Sequence, residues 1–138
     1  MHRGVMQLLF DRRVRWTLFG LWCLAWLVIA VLLLAPLSSP ISLSYSDLVA
    51  HFVSFACLAF GAVGFSHRGR DLTLLAAITV AGGVALELAQ GLVPYRTFDI
   101  LDMGANALGA MVGYGGALTV LVLVIRPASE GREGENLL

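Results

Sequence analysis

The residues of this chain that could do chemistry are an imidazole, a guanidinium, four carboxylates and two amides: His51, Arg96, Asp47, Glu87, Asp99, Asp102, Gln90 and Asn106. All lie within or beside strongly apolar sequence, where ionisable groups are costly and are kept when paired, shielded or functional. Each type suggests a task. The planar fork of Arg96 suits a phosphate or carboxylate, and Asp47, His51, Gln90 and Asn106 could bind hydroxyls and amides. His51 and Glu87 could act as acid and base, with Arg96 stabilising developing negative charge, although no Ser or Cys nucleophile stands beside the histidine. His51, Glu87, Asp99 and Asp102 are acceptable metal-ligand types, but their spacings match no standard metal motif. No metal and no cofactor is therefore expected.

Elements must bring these groups together, and the spacing indicates which. Glu87 and Gln90, three apart, share one helix face, while Asp102, Asn106, Gly109 and Gly113 step by four, three and four along another. Asp47, His51 and Phe55 step by four and four along a third, with Asp47 placed to cap that helix. Thr97 or Asp99 can cap the last helix. Glu87 precedes Pro94 by roughly 10 Å of helix, too deep for a short side chain to reach water, so it is expected to face the bundle interior. Gly109 and Gly113, with Ala105 and Ala110 nearby, form a small-residue ridge of the kind that packs membrane helices. Gly82 and Gly83 permit another close contact or a bend.

Composition explains the setting. With 59% apolar and 13% charged residues and a mean hydropathy of +0.86, the chain reads as an integral membrane protein. Four stretches, approximately 16–35, 47–66, 72–93 and 100–125, are long enough to cross a hydrocarbon core. The expected fold is all-α, an integral membrane four-helix bundle over residues 16–125, between a basic arm, 1–15, and an acidic tail, 126–138. The first stretch is longer than a signal peptide's apolar region and is followed by Pro36, so a retained helix is expected. Every basic residue is arginine, and all except Arg96 fall on one side of this topology, which makes both termini cytoplasmic by the positive-inside rule. Nucleic-acid binding is not expected, since topology already accounts for these arginines. Cys23 and Cys57 are read as packing residues without a disulfide.

Taken together, the pattern E-x-x-Q-x-x-x-P-x-R-x-x-D-x-x-D-x-x-x-N-x-x-G-x-x-x-G, unbroken from Glu87 to Gly113, resembles the VanZ-like family of small membrane proteins. A second block of that family, approximately D-K-x-x-H-F-x-x-F, is matched by Asp47, His51, Phe52 and Phe55, with Leu48 where the family often has lysine. The resemblance implies a bacterial inner-membrane protein of minimal size, in a family named for an association with resistance to the glycopeptide teicoplanin.

Under the expected topology every chemically capable side chain maps to the outer half of the membrane, which suggests an outward-facing polar pocket. The first expectation is binding or handling of membrane lipids or lipid-linked cell-wall precursors, with an influence on glycopeptide sensitivity. A lipid-directed hydrolase or transferase is the catalytic alternative, and a network that only ties helices together is the structural one. A channel or transporter is disfavoured, because no inverted repeat or polar inner half is present. The glycine ridge is equally compatible with packing inside one subunit and with a homo-oligomer.

Overall fold

A computed structural model describes residues 11–35, 44–94 and 98–125, and the side chains of all of these except 44–46. Four helices account for most of them: α1 (Arg12–Leu34), α2 (Ser44–Gly61), α3 (Gly69–Gln90) and α4 (Ile100–Val120). A short 3-10 turn, Ala62–Gly64, extends α2, and a wider π-helical turn, Leu121–Ile125, extends α4. All four helices are long and apolar enough to cross a membrane, and there is no strand among the described residues. Large apolar side chains cover the outside, among them Leu24, Leu27, Leu74, Leu108 and Leu123. A bundle solvated by acyl chains presents such a surface.

The helices run up and down. At one end the Arg15 Nε–H, near the start of α1, donates to the Phe65 carbonyl just past α2 at 3.0 Å. Thr73, near the start of α3, shares a 2.7 Å hydroxyl contact with Tyr114 of α4 at that same end. At the opposite end the Gln90 amide, closing α3, donates to the Leu33 carbonyl in the last turn of α1 at 2.9 Å. The apolar core lies toward the first end, built from Ala62, Val63, Phe65, Leu72, Ala117 and Leu121. His67 lies half-buried there, and burial, reinforced by the Arg15 charge, holds its pKa below the ordinary 6.5.

Glycine decides which helices touch. A Cβ at Gly109 would run into the Phe52 carbonyl oxygen, and one at Gly113 into that of Ala56, so the backbones of α4 and α2 lie directly against each other. On α3, a Cβ at Gly82 would enter the Trp26 ring of α1, while one at Gly83 would meet Phe55 at 2.7 Å and Asn106 at 3.0 Å. Helix α3 thus fits between α1 and the α2–α4 pair through adjacent glycines. Helix α1 is the most peripheral, with Leu33 its only buried residue. Its hold on the bundle includes the Trp22 indole, which donates to the Leu58 carbonyl at 2.8 Å.

Some boundaries differ from the sequence expectation. Helix α1 begins at Arg12 because Asp11 caps it, its carboxylate accepting from the Arg13 and Val14 amides at 2.7 and 3.4 Å. Helix α2 begins at Ser44, which puts Asp47 in its first turn rather than at its cap. Asp99 does cap α4, accepting from the Leu101 amide at 2.8 Å. Cys23 and Cys57 are free thiols exposed on the outer surface instead of packed between helices. The expected C-terminal tail and the first ten residues of the arm lie outside the described residues.

Candidate functional site

At the end where α2 and α4 begin and α3 stops, three helices bring polar side chains inward. Their tight approach explains the burial: His51, Glu87 and Asn106 are each 1% exposed and Gln90 is 3% exposed. The four-residue step from Asp47 to His51 aims both side chains of α2 at α4, where Asp102 and Asn106 repeat that step. The result is one cluster across two helices. The His51 Nδ1–H donates to the Asn106 side-chain oxygen at 2.9 Å. That contact fixes the ring orientation and turns Nε2 toward Asp102. Nε2 stands 4.0 Å from an Asp102 oxygen and, though buried, makes no hydrogen bond. One ligand atom from each of Asp47, His51 and Asp102 lies within 4.8 Å of the others.

The other expected residues are placed differently. Glu87 accepts the Asp99 backbone N–H through Oε1 at 2.7 Å, which joins the end of α3 to the cap of α4 across their connection. Its second oxygen, Oε2, is buried with no hydrogen-bond partner, as is the Asn106 amide nitrogen. Gln90 turns away to α1 and satisfies the Leu33 carbonyl. Gly109 and Gly113 sit against the α2 backbone below the cluster, and Arg96 lies outside the described residues. The metal-ligand set weighed from the sequence therefore separates. His51 and Asp102 join Asp47, while Glu87 and Asp99 pair with each other.

Beside the polar cluster runs a shallow apolar groove of about 360 Å³, lined by Leu48, Val49 and Phe52 of α2 and by Leu101, Ala105 and Leu108 of α4. None of the lining residues was singled out as part of a site, except that Phe52 belongs to the second sequence block. A signal was present. Leu48, Leu101 and Ala105 are the immediate chain neighbours of Asp47, Asp102 and Asn106, so a helix pair that buries the polar stripe must show these residues along its seam.

A family model described as VanZ/LLP1 matches residues 47–124, more than half of the chain. The chain belongs to the VanZ/LLP1 family. The match begins at Asp47 and takes in α2 from that residue, all of α3 and α4, and nearly all of the turn that follows. All the polar residues of the VanZ/LLP1 cluster therefore fall inside the matched region, and α1 falls outside it. Comparisons with curated proteins and with solved structures found no match. The family match and the four spanning helices together make this a multi-pass VanZ-type membrane protein.

Proposed function

We propose that this protein holds an amphipathic envelope molecule, a lipid headgroup or lipid-linked cell-wall precursor, at the outer face of a bacterial cytoplasmic membrane. The observation that carries the reading is the proximity of a buried polar cluster to an apolar groove. Buried polar atoms with unused hydrogen-bonding capacity, His51 Nε2, Asn106 Nδ2 and Glu87 Oε2, lie at the same helix ends as an apolar groove between α2 and α4. An amphiphile needs both, a polar contact for its head and an apolar track for its tail. Arg96, in the connection between α3 and α4, supplies the cation for a phosphate or carboxylate. The arginine distribution supports an orientation with this end outside and both termini in the cytoplasm. An influence on teicoplanin sensitivity fits such a role, since sequestering or shielding a cell-wall intermediate would alter its exposure to a glycopeptide.

A structural reading has its own support, because Glu87 with Asp99 and Gln90 with Leu33 are plainly ties between helices. One experiment separates the two. Protein purified gently is examined by native mass spectrometry with lipid analysis, alongside Arg96→Ala and the groove-filling Ala105→Phe, at matched folded yield. Selective loss of one co-purifying lipid class in both variants is the expected outcome. Identical, unselective lipid in all three proteins, with differences only in thermal stability, would leave the cluster as internal glue.

A further inference from the structure

We infer that Asp47, His51 and Asp102 form a binding site for one divalent first-row metal cation, with Asn106 as the residue that orients its imidazole. Two carboxylates alone would not carry this. The independent observation is His51, 1% exposed, whose Nε2 has no hydrogen bond and faces Asp102 at 4.0 Å. Because Nδ1 is committed to the Asn106 oxygen at 2.9 Å, the ring is held with Nε2 turned toward the Asp102 carboxylate. A buried ring nitrogen without a hydrogen bond, aimed at carboxylates, is the placement a metal ligand takes. A histidine whose second nitrogen is hydrogen-bonded to an oxygen is the usual arrangement at metal centres, where that bond fixes ring orientation and raises ligand basicity.

The dimensions agree. Bonds of about 2.1 Å in a tetrahedral site put ligand atoms about 3.4 Å apart, and the three ligand atoms here lie within 4.8 Å of one another. Closing by roughly an ångström lies within the reach of carboxylate rotation about staggered torsions. One nitrogen with two oxygens suits zinc, manganese or iron(II), whereas calcium and magnesium prefer oxygen alone. A dication is also complementary in charge to carboxylates held at the edge of a hydrocarbon layer, where anions are costly. Three protein ligands leave a coordination position open, as in metal centres that act on a bound molecule.

The inference does not depend on the lipid reading, and its test needs no lipid. The full chain in detergent micelles is stripped with a chelator and equilibrated with zinc or manganese chloride. Bound metal is then counted by elemental mass spectrometry, and the visible absorption of the cobalt(II)-substituted protein is recorded. One metal per chain is expected for the wild type and for Asp71→Asn, an exposed carboxylate in the first turn of α3. Asp47→Asn, Asp102→Asn and His51→Gln should abolish stoichiometric binding, and Asn106→Ala should weaken it about 10–100-fold. If His51→Gln does not fold, the near-isosteric Asp47→Asn decides. Absence of stoichiometric metal in the wild type overturns the site, as does unchanged affinity in both aspartate variants.

Discussion

Glu87 has two oxygens with different fates, and the difference can be tested at a single residue. Oε1 accepts the Asp99 N–H at 2.7 Å, while Oε2 is buried without a partner. Glu87→Gln keeps an acceptor for that N–H and changes only the group at the second position, so the folded protein should persist with a nearly unchanged thermal midpoint. Glu87→Ala strands the Asp99 donor and should cost about 1–3 kcal/mol, read as a lower midpoint in the same detergent. Equal losses in both variants would show that the charge, not the hydrogen bond, stabilises the fold. The depth of Glu87 was legible in the sequence, since a glutamate that far inside a helix cannot reach water. Its partner was not, because a backbone N–H leaves no mark on residue type. Asp47 gives the complementary lesson. A position just after a polar loop looks like a helix cap, but α2 starts earlier, at Ser44, and its first turn carries the carboxylate toward α4.

At the scale of elements, the four helices were legible because length and apolarity are sufficient to identify a membrane span. Their pairing was less so. In water an apolar stripe marks the buried face, but lipid is as apolar as leucine, and hydrophobicity no longer tells inside from outside. Cys23 and Cys57 show the consequence, since sequence suggested packing and the fold puts both on the outer surface. Small residues are the better guide, and they yield a sharp contrast. Gly109→Ala and Gly113→Ala each drive a methyl group into a carbonyl of α2, and each should destabilise by about 1–3 kcal/mol or more. Gly104→Ala and Gly115→Ala meet open space and should be neutral or stabilising by up to about 1 kcal/mol through helix preference alone. Thermal unfolding of the four variants side by side checks this. A uniform effect across them would mean that the α2–α4 contact is not what those glycines serve.

For the whole molecule, alternation of helix direction gathers every chemically capable described side chain of the cluster at one end, and the topology proposed from the arginine bias puts that end outside. In a Cys23→Ser, Cys57→Ser background, Leu92→Cys, at an 87% exposed position after α3, should react in intact cells with a membrane-impermeant thiol reagent. Arg68→Cys, exposed between α2 and α3, should react only with a permeant one. The opposite pattern would invert the proposed topology. The cluster itself was only partly legible, because its members could be placed on helix faces but the rotation that aims those faces at one another depends on glycine contacts between α2 and α4. That contact also skips a helix, since α2 packs most intimately not on its successor but on the last span. Synthesis proceeds in chain order, so His51 enters the bilayer well before Asn106 exists to accept its hydrogen bond, and Asp47 before Asp102. Until α4 is inserted, the polar face of α2 has no permanent neighbour. The site is thus completed only once the last span has packed against α2.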